Sequence, residues 1–153
     1  MAWAEDQGKQ IREVESSMFQ MQMMFNWSKD LQIWMLQDSA TSDAAEYWQS
    51  TWELYELWCA GDEEAMRKEL SSNWDTSEMT EEEIAEYTPL MEEYDKSMSY
   101  DRNEGMLDVA IEYLESGDVV FYAVGLAHLL NDHNGLVDTL RAAGYTVELV
   151  PYA

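Results

Sequence analysis

An α/β fold is what this sequence predicts: a mostly helical single domain with a small, largely parallel sheet and a C-terminal strand-helix-strand unit. Three observations lead there. Val119, Val120, Phe121, Tyr122, Ala123 and Val124 form an apolar run between Gly117-Asp118 and Gly125. A run this rich in β-branched and aromatic side chains has the pattern of a strand buried on both faces. Thr146, Val147, Glu148, Leu149 and Val150 make a second run. Between the two, Leu136, Leu140 and Ala143 lie on one helical stripe that Gly144 ends. A strand, a crossover helix over about 134–143 and a strand predict an adjacent parallel pair with a right-handed connection.

The preceding segments read as helices. Residues 10–14 fit a short strand or a helix entry. From Met18 the spacing of Met21, Met24, Phe25, Leu31, Trp34 and Met35 is helical. Asp43 and Glu46 resemble a capping pair. The helix they open carries two apolar stripes, Trp48-Trp52-Tyr55 and Tyr47-Thr51-Leu54-Trp58, which predicts burial over a wide arc. Gly61 stops it, and Asp62 restarts a short helix through Leu70. The acidic loop over 73–83 reads as the flexible point of the chain. Thr80 and Glu83 form a capping box ahead of Ile84 and Tyr87. Pro89 is expected to break that helix, with Thr88 as N-cap and Pro89 as first residue of the next. Residues 100–114 place Met106, Ala110 and Tyr113 beside Leu107, Ile111 and Leu114, and Ser116-Gly117 ends the stretch.

Composition narrows the function classes. The chain has 153 residues and is 46% hydrophobic, enough for one domain with a core and unlike a disordered segment. Eight Lys and Arg against 32 Asp and Glu give a formal net charge of −24. That balance excludes a nucleic-acid partner, since little is available to neutralise phosphates, and it disfavours anionic membrane surfaces. It suits cationic ligands and divalent metals. Cys59 is the single cysteine, so no intrachain disulfide forms, and it reads as a small buried hydrophobe. The 11 Met and 7 Trp read as ordinary core. No apolar run reaches the ~20 residues of a membrane span, so no membrane insertion is expected. No signal peptide is visible at the start, and the location, export included, stays open.

His128 is the sharpest candidate for chemistry. It follows the first predicted strand and Gly125, and ligands in open α/β sheets sit beyond the carboxyl ends of strands. His133 lies in Asn131-Asp132-His133-Asn134-Gly135, a turn composition that reads as solvated. The two histidines are five apart, not the four of a helical zinc motif. Arg102 stands at the start of a helix, where a cation is slightly unfavourable. A bidentate carboxylate or ligand partner would explain it. Nothing local separates Glu15 or Glu13 from the other acidic residues. No serine nucleophile elbow, P-loop or dinucleotide fingerprint is present.

Several segments together resemble the TraB/GumN family, which includes the Tiki proteins. They are Val14-Glu15, Phe19-Gln20, Arg102-Asn103 with Met106, the run 119–124, Gly125-Leu126-Ala127-His128-Leu129, Asn134-Gly135-Leu136, and Ala143-Gly144-Tyr145-Thr146-Val147. The resemblance is to the family's C-terminal half, with residues 1–8 as an N-terminal extension and 9–153 as the half domain. Family members share two Gly-x-x-His motifs, a Leu-Glu pair and this Arg-Asn segment, and Tiki proteins are peptidases dependent on manganese or cobalt. The resemblance implies a metal-dependent hydrolase, peptidase-like, acting on a peptide substrate. It makes His128 a metal ligand, Glu15 a ligand or catalytic base, Arg102 a catalytic residue that orients Glu15 or binds substrate, and manganese, cobalt or zinc the cofactor. The sequence departs from the pattern in having one Gly-x-x-His motif, Val14 in place of leucine, and His133 where an acidic residue is usual. Incomplete chemistry in the isolated chain is therefore expected, together with a homodimer or pairing with a missing N-terminal half. The alternative is a non-catalytic binding or assembly module that retains the fold.

Overall fold

Side-chain caps start most of the helices. The computed structural model describes residues 2–71, 76–77 and 79–150. In order the helices are α1 (Ala2–Asp6), α2 (Ser17–Phe25), α3 (Lys29–Thr41), α4 (Ala44–Ala60), α5 (Glu63–Ser71), α6 (Glu81–Asp95), α7 (Asp101–Ser116), α8 (Leu126–Leu130) and α9 (Leu136–Ala142). A π-helical turn, Lys96–Tyr100, joins α6 to α7. The Ser16, Ser28 and Asp43 side chains accept from the amides of Phe19, Leu31 and Ala45 at the heads of α2, α3 and α4. Asp62 accepts from the Ala65 amide at the head of α5. Thr80 and Glu83 form the expected reciprocal capping box on α6. Each such cap stabilises its helix by about 1 kcal/mol. Gly61 and Gly117 end α4 and α7 with φ of 68° and 79°, where a side chain would be strained.

The predicted sheet is absent. Helices make up 70% of the structure, and no strand occurs among the described residues, so the fold is a helical single domain rather than α/β. Residues 119–124 and 146–150 lack regular secondary structure, and no backbone hydrogen bond pairs one with the other. β-branched and aromatic side chains favour extended backbone locally, but a ladder exists only where a second strand comes to about 4.8 Å. Here each segment is tied by side chains instead. The Tyr122 hydroxyl donates to the Met106 carbonyl at 2.8 Å, and Arg141 donates to the Val147 carbonyl at 3.3 Å. The crossover helix does form, as α9, and α8 precedes it.

Three further expectations give way to packing. Pro89 lies inside α6 rather than between two helices. It removes one backbone donor, but α6 is held on both sides of it: Tyr87 meets the Trp34 ring, Tyr94 meets the Trp27 ring, and Met91 is buried. Helix α4 has no buried residue, and Tyr47, Trp48, Trp52, Tyr55 and Trp58 are all exposed. Cys59, on the same helix, is exposed as well. Residues 72–75 and 78 of the acidic loop lie outside the described residues.

The core is small and centred on α7. Met106, Ala110 and Leu136 form its buried centre, with Val14, Leu107, Tyr122, Val124 and Leu129 packed around it. Elsewhere Leu31, Met66, Met91 and Leu130 are buried; Met66, Met91 and Met106 thus serve as core, whereas Met18, Met21 and Met24, like several tryptophans, are exposed. Arg67 on α5 bonds Glu63, the Leu130 carbonyl and Asp138, and so fastens α5 to α8 and α9. No helix among the described residues is long and apolar enough to cross a membrane.

Candidate functional site

The site grows from the head of α7. A π-helical turn shifts the hydrogen-bond register by one residue, so that the Asp101 amide donates to the Lys96 carbonyl. Carbonyls in this turn then serve other partners. Asn134 Nδ2 donates to the Tyr100 carbonyl at 2.9 Å, and Arg102 Nη1 donates to the Met98 carbonyl at 3.1 Å.

Arg102 has a bidentate carboxylate partner, Glu15, although α7 continues from α6 through the π-helical turn and Arg102 stands at no free helix start. Arg102 Nε lies 3.0 and 3.1 Å from the two carboxylate oxygens, and Nη2 lies 2.6 Å from Oε2. Gln20 Nε2 donates to the same carboxylate at 3.4 Å. Burial pushes the Glu15 carboxyl up, but the hydrogen bonds and charge of Arg102 outweigh it, with smaller help from Gln20 and His128. The net result lies below the ordinary carboxylate value of 4.5.

His128 sits in α8, buried at 9% exposure, and Asn103 fixes its ring. Asn103 is itself 1% exposed. Its Nδ2 faces three oxygens: the Asn134 carbonyl and Oδ1, each at 3.1 Å, and the His128 carbonyl at 3.4 Å. An amide group among acceptors must present its NH2 to them, so Oδ1 points the other way, 2.6 Å from His128 Nδ1. His128 Nδ1 therefore carries the proton, and the lone pair of the neutral ring is on Nε2. No buried side-chain nitrogen or oxygen among the described residues lacks a partner, so Nε2, which makes no hydrogen bond there, is open to the cleft. Burial lowers the basicity of the ring, the Arg102 charge lowers it further, and Glu15 opposes both. The net shift is downward from 6.5, and His128 is neutral at neutral pH.

Arg102 and His128 share the wall of a cleft of about 780 Å³, and Glu15 joins them through the guanidinium. That volume is within the range of small-molecule and peptide-side-chain sites. The aromatic lining comes from Trp34, Tyr47, Tyr87, Tyr94 and Tyr100. His133 also reaches the cleft. It is exposed and stacks on Tyr100, with 4.2 Å between ring centroids, outside the Asn103 network.

Gly125 and Gly135 have different roles. Gly125 has φ of −62°, which any residue adopts, and a Cβ there would make only an ordinary contact with His128. Its carbonyl accepts from the His128 amide at 3.0 Å and so closes the first turn of α8. A Cβ at Gly135 would come within 2.5 Å of the Asn131 carbonyl oxygen and 2.8 Å of the Leu129 one. That glycine lets the chain close on itself and brings Asn134 to Asn103. Sequence reasoning does not select Asn103 as a site residue. Its signal is a polar side chain on the apolar 103-106-110 stripe of α7.

The three residues do not form a metal site by themselves. Among the described residues no group of three His, Cys, Asp or Glu side chains is placed to hold an ion. Both Glu15 oxygens are engaged by Arg102, which leaves His128 Nε2 as the one available donor of the three, and catalytic zinc sites commonly use three protein ligands.

Stability depends on pH through both groups. The folded His128 resists protonation relative to the unfolded chain, so its contribution to stability is complete above pH 6.5 and declines as pH falls below it. The Glu15 contribution is complete above pH 4.5 and is lost below that. We expect the stability of the wild type, measured by urea unfolding relative to His128→Gln, to fall between about pH 7 and pH 5. A difference that is constant over that window would show that the ring titrates alike in the folded and unfolded chains.

Comparison with known proteins agrees with the motif pattern. No curated protein and no solved structure matches the chain. The model of the TraB/PrgY/gumN family matches residues 1–149, nearly the whole chain. The chain belongs to the TraB/PrgY/gumN family.

Proposed function

We propose that this chain is a metal-dependent, peptidase-like hydrolase module that is incomplete on its own. The observation that supports it best is the state of His128: neutral, proton held on Nδ1 by Asn103, lone pair on Nε2 toward the cleft. Ligating histidines are commonly oriented in this way through their other nitrogen. The further ligands for manganese, cobalt or zinc would come from another polypeptide. Arg102 holds Glu15 in its ionised form beside the cleft, and the guanidinium offers a cation to a peptide carbonyl or carboxylate.

A second reading, a binding module without catalysis, is favoured by the engagement of both Glu15 oxygens with Arg102. Metal titration by calorimetry separates the two. We expect weak binding of Mn²⁺, Co²⁺ or Zn²⁺ that His128→Ala abolishes, and no appreciable peptide cleavage by the chain alone. Equal metal affinity in wild type and His128→Ala would leave only binding by the acidic surface and discard the hydrolase reading. Metal-stimulated cleavage that His128→Ala removes would show that the chain is complete by itself.

A further inference from the structure

The cleft that holds His128 and Arg102 joins aromatic rings to carboxylates. Trp34 and Tyr87 meet in it at 58°, with 5.5 Å between ring centroids, and Tyr94 and Tyr100 line it beside them. Asp38, Asp95 and Asp132 line it too. Burial raises the hydroxyls of Tyr87, Tyr94 and Tyr100 above the ordinary tyrosine value, and the same carboxylates add to the rise. Asp38 and Asp95 act on Tyr87, Asp95 on Tyr94 against an opposing Arg102, and Asp95 and Asp132 on Tyr100. The phenols are therefore neutral at physiological pH, and the field of three carboxylates falls on one group of rings.

The cations of the cleft do not cancel that field. Arg102 is held by Glu15, and Arg67 by Glu63 and Asp138, all of them outside the lining. Neither Asp38 nor Asp132 enters an ion pair among the described residues. His128 lines the same cleft at 9% exposure, and its unpaired Nε2 is an acceptor that calls for a ligand. Ring faces and carboxylates together select a cation, and the net charge of −24 draws one in. A guanidinium suits the pair better than an ammonium, because it stacks flat on a ring while its fork of donors meets a carboxylate. A volume of about 780 Å³ admits such a side chain with adjoining backbone.

We propose that this cleft binds an arginine side chain of a peptide, the guanidinium lying among Trp34, Tyr87 and Tyr100 and facing Asp38 and Asp132. The inference rests on the reading of the cleft as a peptide site and names the side chain it selects.

Calorimetry of the full chain, without metal and at physiological salt, tests it. The probe is a capped alanine pentapeptide with a central arginine, against the same peptide with neutral citrulline in that place. The arginine peptide should bind at least about tenfold more tightly. Asp38→Asn combined with Asp132→Asn, both at exposed side chains, should abolish that preference. Asp108→Asn combined with Glu112→Gln removes the same charge from exposed positions of α7 outside the lining, and should leave both the affinity and the preference within about twofold of wild type, since exposed charges at a distance are screened. Equal affinity for the two peptides, a preference that survives in the Asp38/Asp132 variant, or an equal loss in the α7 variant would each overturn the proposal. The titration reads binding alone, so its failure leaves metal binding at His128 standing, and loss of metal binding leaves the arginine site standing.

Discussion

Asn103→Leu is expected to destabilise the protein by about 3–4 kcal/mol, because it strands several buried groups at once. Leucine is close to asparagine in shape and length, so the loss is chiefly one of hydrogen bonds. The His128 Nδ1–H loses its acceptor, and the Asn134 carbonyl and side-chain oxygen lose a donor. Each buried group left unsatisfied costs about 1–3 kcal/mol. For a chain of this length the melting temperature should fall by about 10 °C. Asn103→Asp should not rescue it, since a carboxylate would then face the oxygens that Nδ2 now serves. Ring nitrogen shifts in NMR should show His128 losing its fixed Nδ1–H form. A loss below about 1 kcal/mol would mean that the network does not hold in solution.

Removing the Arg102 guanidinium should have the next largest effect. Arg102→Ala leaves the Glu15 carboxylate partly buried without its cation. A sealed pair broken in this way costs about 3–5 kcal/mol, and partial exposure of this pair reduces the expected loss to about 2–3 kcal/mol. Arg102→Lys keeps the charge but not the fork of donors, and should lose about half as much. The deficit of Arg102→Ala should narrow below pH 4.5, where the wild type itself loses the Glu15 contribution. A double-mutant cycle with Glu15→Gln measures the coupling directly. Additive losses would show that the pair adds nothing beyond its separate residues. The contact spans 87 residues and anchors the irregular segment around Val14 to α7, so proteolysis near residue 14 should rise in parallel.

The site is partly legible in the sequence. His128 stands out because histidine is rare in this chain; Arg102 stands out only through an expected helix start that is absent, because the helix runs on from α6 through the π-turn. Glu15 is one of 32 acidic residues, and local sequence holds nothing that selects it. Only the approach of α7 to the segment before α2 does so. Asn103 carries a signal in its place on an apolar stripe, but its partners lie 25 and 31 residues away.

Local chemistry determined where helices begin and end. Ser16, Ser28, Asp43 and Thr80 cap their helices with their own side chains, and Gly61 and Gly117 supply the left-handed residues that end two of them. Such interactions span two to four residues, so the sequence carries them whatever the rest of the chain does. Tertiary structure decided what those elements meet. Residues 119–124 and 146–150 have the side chains of strands, yet a strand pair needs two backbones at hydrogen-bonding distance, and the chain does not bring them together. The apolar stripes of α4 imply burial, yet burial requires a facing surface, and no residue of α4 is buried. Pro89 opposes a helix locally, and the packing of Tyr87, Met91 and Tyr94 on either side keeps α6 continuous. Short-range preference is additive along the sequence, whereas pairing and burial depend on contacts between distant residues, and the fold alone sets those.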